Sequence, residues 1–280
     1  MVSIVVAAHN EATVIGRTLR HLLDGAEPGE FDVVVAANGC TDDTAGLARA
    51  VPGVRVVEVE RASKPAALNA GDAAAAGFPR IYLDADITLD AAGARALAEA
   101  VSGGSGVIAA APRRVLDTAG RPLLVRAYFA VNGRLPAFRD ALFGRGAIVL
   151  SKDARARFDQ FPDLFADDLF LDALFTVDEK REVAAVASVV ATPTRTEDLL
   201  RRLGRVRGAN TSLRAATEAA GATVAVRPSR KASWLVDVVL PRPWLWPAGA
   251  CYAALTLVAE RRARRTPAGA AWARDESTRS

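Results

Sequence analysis

Asp84 and Asp86 stand one residue apart at the end of the apolar run RIYLDAD, and Asp90 follows four residues later. Continued as an extended strand end, this spacing turns both carboxylates to one face, roughly 7 Å apart along the chain. Such a pair suits a hard divalent cation, which takes one or two carboxylates and completes its shell with water and substrate phosphates. The expected guest is therefore Mn2+ or Mg2+ carrying a diphosphate. The same acids also make a turn and a helix cap, with Asp90 the better placed cap, and the tripeptide alone leaves both readings open.

A second acidic pair, Asp167 and Asp168, lies inside the apolar frame of LFADDLFLDALF. Desolvation disfavours a carboxylate's charge and a like-charged neighbour adds to this, so both effects make the pair more basic and favour proton acceptance. Two acids at a helix N-terminus, stabilised by capping and by the helix dipole, are the competing reading. Lys64 opens a helical pattern, where the dipole is mildly unfavourable to a cation. A nearby anion would explain it; a solvated surface charge is the alternative. Arg202 and Arg205, three apart on one helical face in LLRRLGRVRGAN, are suited to a leaving diphosphate through their guanidinium forks, or to solvent or anionic lipid.

The elements that must carry these residues follow from periodicity. Short, continuous, β-branched runs at 2–8, 31–37, 54–59 and 80–84 alternate with helical patterns at 11–23, 42–50 and 64–76. Apolar runs buried on both faces and alternating with amphipathic helices specify a parallel sheet of βαβ units. Ligands in such sheets bind beyond the carboxyl ends of the strands, which here read AAHNE, AANGCTDD, VERASK and LDAD. No GxGxxG follows the first strand, which argues against NAD or FAD held through that motif. Further on, the pattern predicts a helix to about Ala100, a strand near Val107, a helical stretch over 122–143 and a strand over 146–151. A strand pair around 183–190 and a helix from Glu197 to about Ala219 follow.

Composition sets the outer bounds. A chain of 280 residues with 51% hydrophobic residues can bury a sizeable core. The net charge of +4 comes from 36 basic and 32 acidic residues, and the arginines are mostly dispersed rather than gathered with aromatics, so nucleic acid is not an expected partner. Two cysteines far apart give neither a disulfide framework nor a CxxC metal site and fit a reducing, cytoplasmic compartment. The opening MVSIVVAAHNEA has no basic segment and too short an apolar run for a signal peptide, and reads as the first strand.

In their order and spacing, VSIVVAAHNEATVIGRTLRHLL, VVVAANGCTDDTAGLA, KPAALNAG and YLDADITLD resemble the family 2 glycosyltransferases of the GT-A fold. ADDLFLDALF continues the match, residues 195–210 carry it more weakly, and it ends there. The resemblance implies a Rossmann-like, mostly parallel α/β sheet flanked by helices, and an inverting transferase using a nucleoside-diphosphate sugar, a divalent cation and a hydroxyl acceptor. It implies that Ala8, His9, Glu11 and Asn38 hold the base and ribose, and that Lys64 and Asn69 approach the nucleotide. Asp86 would bind the metal directly, with Asp84 on ribose or a metal-bound water. Asp168 would be the general base, with Asp167 orienting acceptor or base. The family usually has two aspartates where this chain has Ala37 and Asn38; an amide both donates and accepts, so uridine and guanosine donors both stay open. The Gln and Trp motif of the processive synthases is absent near residue 200, which favours transfer of a single sugar.

Three domains are expected: a transferase domain over 1–230, an apolar and basic helical extension over 231–265, and a disordered tail over 266–280. The charge-free run 243–259 has tryptophans at one end and arginines beyond the other, with Pro247 and Gly249 interrupting it. This favours shallow docking at the inner face of a membrane over spanning it, or packing against protein. Two rivals remain: a nucleotidyltransferase, which would normally carry a glycine-rich loop after the first strand, and a silent nucleotide-binding scaffold at the membrane, which would be expected to lose its acids.

Overall fold

The computed structural model describes residues 1–163, 166–204, 206 and 232–265. A seven-stranded sheet runs in the order β3-β2-β1-β4-β6-β5-β7. Its parallel half is β1 (Val2–Ala8), β2 (Phe31–Asn38), β3 (Val54–Val59) and β4 (Arg80–Asp84). Then β6 (Ala147–Leu150) pairs antiparallel with both β4 and β5 (Ala109–Asp117), and β7 (Lys180–Ala191) closes the far edge. The burial expected on both faces holds for every residue of β2 and most of β1 and β4, but not for β3, the edge strand, none of whose residues is buried.

Helices α1 (Ile15–Leu23), α2 (Thr44–Arg49), α3 (Lys64–Ala74) and α4 (Ala91–Ala100) connect these strands. In α1 the buried positions Ile15, Thr18, Leu19 and Leu22 fall on one face, as a helix packed on a sheet requires. Ser63 caps α3 by accepting from the Ala66 N–H at 3.3 Å, and Asp90 caps α4 by accepting from the Gly93 N–H at 2.7 Å, the task expected of it. Register then does the work of assembly. Ala8 lies beside Ala37, and Ala7 beside Asp84, so the carboxyl ends of β1, β2 and β4 reach one edge of the sheet together.

Several expectations change. The chain turns immediately after Asp84, with Ile87 N–H donating to the Asp84 carbonyl at 3.1 Å, so Asp84 and Asp86 do not continue one extended strand. The helical pattern over 122–143 gives only α5 (Leu123–Asn132) and a short 3-10 turn at Pro136–Phe138, because Pro136 lacks an N–H and its ring would clash with the carbonyl of Asn132 in a continued helix. The expected strand pair near 183–190 is the single strand β7. Helix α6 (Lys152–Arg155) and α7 (Asp167–Ala173) precede it, and α8 occupies residues 196–204; the rest of the helix expected to Ala219 lies outside the described residues, except Val206.

The chain divides into two compact units. The first, residues 1–115 and 140–190, contains the sheet, with one core of Ile4, Val33, Ile81 and Leu97 on one face and another of Val5, Tyr82, Ile148 and Phe161. The second comprises 116–139 and the described residues from 191 on. There α5 packs on α9 (Trp246–Arg265) through Tyr128, Phe129, Leu255 and Ala259, with Leu199 of α8 in the same cluster, so α5 belongs with the C-terminal helix. Pro247 sits in the first turn of α9, where a missing N–H costs nothing, and therefore does not break it. No described helix is long and apolar enough to cross a membrane.

Candidate active site

Three of the acids singled out by sequence, Asp84, Asp167 and Asp168, meet around Lys64 at the carboxyl end of β4. Lys64, the first residue of α3, places its Nζ 2.7 Å from Asp84 Oδ1 and 3.0 Å from Asp167 Oδ2. A cation at a helix N-terminus opposes the dipole, and the two carboxylates explain why this one is tolerated. Burial alone would lower the lysine's pKa; the charges of Asp167 and Asp84 outweigh it and hold the ammonium well above its ordinary value.

Asp167 responds in the opposite sense. Its side chain is only 16% exposed. Burial raises its pKa, Lys64 pulls it down, and Asp168 and Asp84 push it up again, leaving it at about 6. Asp168 is held by main-chain donors: Gly144 N–H reaches Oδ2 and its neighbour Leu169 N–H reaches Oδ1, both at 2.8 Å. Both aspartates occupy the first turn of α7, so the capping position and a chemical role coincide here. One lysine thus faces Asp84, Asp167 and Asp168, with Asp86 exposed on the adjoining turn. Among the described residues, Lys64 is the cation set directly between Asp84 and Asp167.

The residues expected to hold base and ribose also come together, at the ends of β1 and β2. Asn38 is buried, donates from Nδ2 to the Ala8 carbonyl at 2.8 Å and accepts the Ser63 N–H on Oδ1 at 3.1 Å. Its amide therefore fastens β1 to the start of α3. His9 Nδ1 lies 2.5 Å from the Asn38 carbonyl, and the Glu11 N–H donates to Thr44 Oγ1 at 2.7 Å. Gly39 sits at φ +52°, where any Cβ would lie 2.6 Å from the Ala62 nitrogen, so the turn after β2 requires glycine.

Other candidates fall elsewhere. Asn69 spends its amide on Phe161, accepting that residue's N–H at 2.8 Å and donating to its carbonyl at 3.0 Å. It therefore pins the segment leading to α7. Arg202 lies in the second unit, on α8, with Nη1 3.4 Å from the Ala191 carbonyl. Arg205 lies outside the described residues. The segment 144–146 was not singled out by sequence, although its Gly-Arg-Gly pattern directly before an apolar strand was visible.

No grouping of three or more His, Cys, Asp or Glu side chains able to hold a metal occurs among the described residues. The donors nevertheless fit a cation shared with a diphosphate, since Asp84 and Asp86 supply hard oxygens and phosphates would supply the rest. The Lys64 ammonium already stands against Asp84 as a positive charge in that acidic surrounding.

The glycosyl transferase family 2 model matches residues 3–148, which contain β1 to β4 and the acids at their ends. The chain belongs to glycosyl transferase family 2. It is a glycosyltransferase, and its fold is GT-A. Among solved structures it is similar to the mannosyltransferase PcManGT from Pyrobaculum calidifontis, in complex with GDP-Man and Mn2+. That pair shares 21% identity over 94% of this chain and 78% of the other, with a TM-score of 0.59. It is also similar to glucosyl-3-phosphoglycerate synthase from Mycobacterium tuberculosis. The complex with phosphoglyceric acid gives 20% identity over 79% of this chain and 80% of the other, TM-score 0.55. The complex of that synthase with Mn2+, UDP-Glc and phosphoglyceric acid gives 20% identity over 70% and 72%, TM-score 0.50. Among curated proteins no sequence match was found.

Proposed function

We propose that this family 2 glycosyltransferase moves one sugar from a nucleoside-diphosphate donor to an acceptor hydroxyl, with a divalent cation and with inversion at the anomeric carbon. The observation that carries the reading is an acidic cluster in which, among the described residues, one lysine is set among Asp84, Asp167 and Asp168 at the carboxyl edge of the sheet. The similar structures in complex with Mn2+ and either GDP-Man or UDP-Glc support a metal and a nucleotide sugar, and leave the base open.

The base and ribose are assigned to the edge formed by Ala8, His9, Glu11 and the segment fastened by Asn38. Asp86 and Asp84 would hold the cation, which when bound neutralises the diphosphate and makes it a better leaving group. Lys64 has three donors, of which Asp84 and Asp167 take two, so the third is available to a phosphate oxygen. Asp168 takes the acceptor proton; its two main-chain hydrogen bonds fix the direction in which the carboxylate faces. Asp167, with its raised pKa, orients acceptor or base. Attack from the face opposite the leaving diphosphate inverts the configuration in one displacement. Arg202 and Arg205 remain candidates for the leaving group.

Thermal shifts with UDP, GDP, TDP and CDP, each with and without Mn2+, test the donor assignment, because a ligand of the folded state raises its melting temperature. One metal-dependent shift that disappears in Asp86→Ala is expected. The absence of any nucleotide-dependent shift would overturn the reading.

Membrane docking is a separate proposal for the second unit. Trp244 is 72% exposed, and Trp246, Leu240, Leu257 and Val258 are exposed with it, while Arg261 and Arg262 follow on α9. Tryptophans and arginines around an exposed apolar face suit an anionic headgroup layer. Co-sedimentation with vesicles containing phosphatidylglycerol should fall at least tenfold in Trp244→Ser/Trp246→Ser; equal binding by variant and parent contradicts it.

A further inference from the structure

The segment Gly144–Arg145–Gly146 touches both halves of the proposed chemistry. Its first residue donates the Gly144 N–H to Asp168 Oδ2 at 2.8 Å, and its last accepts the Asp84 N–H on the Gly146 carbonyl at 2.8 Å. A few residues of backbone therefore bridge the carboxylate assigned to the diphosphate end and the one assigned to proton removal. The bridge has no slack at Gly146: φ is +70°, and a Cβ there would lie 2.3 Å from Ile87 Cγ1, against the turn that carries Asp86.

Between these glycines Arg145 is 1% exposed, the largest fully buried side chain among the described residues. Its Nε donates to the Ala141 carbonyl at 2.6 Å, and its Nη1 donates to the Pro112 carbonyl at 2.7 Å and to Glu182 Oε2 at 2.5 Å. Its own carbonyl accepts from Ser188 Oγ. The guanidinium thus ties the loop to β5 and β7, while Leu142 N–H, on the same loop, donates to Asp172 of α7 at 2.8 Å. A buried charge is costly, and replacing it by apolar packing is often neutral or stabilising, so stability alone is a weak reason for an arginine here. Directional anchoring is a stronger one, because the planar fork fixes several acceptors at once and an ammonium does not.

We propose that Arg145 is a positioning residue for sugar transfer, setting the separation of Asp84 and Asp168 through the 144–146 bridge. This rests on the function proposed above. Displacing the bridge would move the carboxylates relative to one another while leaving the nucleotide-facing ends of β1 and β2 in place. Such an error appears in the chemical step rather than in donor binding.

The test compares Arg145→Lys, Glu182→Gln and Ser188→Ala with Asp168→Asn and with Arg157→Met, a control that removes an ion pair to Glu179. Nucleoside diphosphate release is followed with UDP-glucose and GDP-mannose, water serving as the hydroxyl acceptor and the sugar leaving as free hexose, and binding of UDP and GDP with Mn2+ is measured separately. Arg145→Lys should lose at least thirtyfold in kcat with diphosphate affinity within about threefold of the parent, and Glu182→Gln and Ser188→Ala should lose less, in the same pattern. Hydrogen exchange needs no turnover: in all three variants the amides of Gly144 and Asp84 should lose protection together, at least tenfold, while those of β2 keep theirs. If Arg145→Lys does not fold, the other two variants carry the test. Unchanged kcat and protection in folded variants overturns the proposal even when Asp168→Asn is inactive. An Asp168→Asn that turns over normally overturns instead the assignment of the base.

Discussion

The two ends of the α3–β4 pair carry charge clusters of opposite character. At the end where β4 begins, Asp72 of α3 takes Arg80 at 2.6 Å, Tyr82 Oη at 2.7 Å and Arg155 Nε at 2.8 Å. One acid there meets two guanidinium groups and a phenol. Burial would raise the Asp72 pKa, but hydrogen bonds from Arg155, Tyr82 and Arg80 overcome it and the pKa is lowered. At the end where β4 stops, one lysine meets several acids and Asp167 is pushed up to about 6.

The pH dependence of the two ends follows with opposite sign. Asp72 contributes stability that is present above its unfolded pKa and is lost as pH falls through its lowered folded value. Asp167 does the reverse: the folded state binds its proton more readily, so on this group's account the fold gains stability as pH falls from about 6 toward the ordinary value of 3.8. A balanced cluster closes the fold. The cluster at the other end of the same helix and strand, where one lysine of the described residues faces three acids, is the one assigned to ligand in the proposed function.

The sharpest break of this contrast is Asp168→Asn. It should reduce turnover by about a thousandfold, or ~4 kcal/mol of barrier, with nucleotide binding and melting temperature little changed. Asp72→Ala should do the opposite. Leaving Arg80 buried without its carboxylate should cost about 3–5 kcal/mol in urea unfolding, while any folded fraction retains nucleotide binding. A smaller effect sharpens the comparison: in carboxyl-carbon NMR, Asp167 should titrate near 6 in the parent and higher in Lys64→Met, because Lys64 lowers that pKa. A midpoint that moves down contradicts the pairing. The surface part of these pairs is weak in any case, since Lys64 and Asp84 are 37% and 39% exposed and water screens them.

Much of the parallel half was legible because β-branched runs such as VSIVVAA and FDVVVAA have no other stable home than a doubly covered sheet. The acids at its edge were legible from their types and order. Asn38 and Asn69 show what was not. Both look like ligand groups in sequence, yet Asn38 bonds Ala8 and Ser63 and Asn69 bonds Phe161, partners 30, 25 and 92 residues away. An amide's partner depends on tertiary register, which no local spacing encodes. Asp84 and Asp86 show a second limit. An aspartate-rich strand end and a turn share one sequence, and the hydrogen bond from Ile87 to Asp84 decides between them. Arg145 shows a third, because a lone arginine beside glycines reads as a solvated loop until its bonds to β5 and β7 are seen.

Anomalous diffraction at the manganese edge, from crystals grown with Mn2+ and either UDP or GDP, tests the acidic cluster most directly. A peak within ~2.5 Å of an Asp86 or Asp84 carboxylate oxygen, shared with the diphosphate, is the expected result. A nucleotide bound at this edge with no manganese against either aspartate, and Lys64 alone on its phosphates, would contradict it.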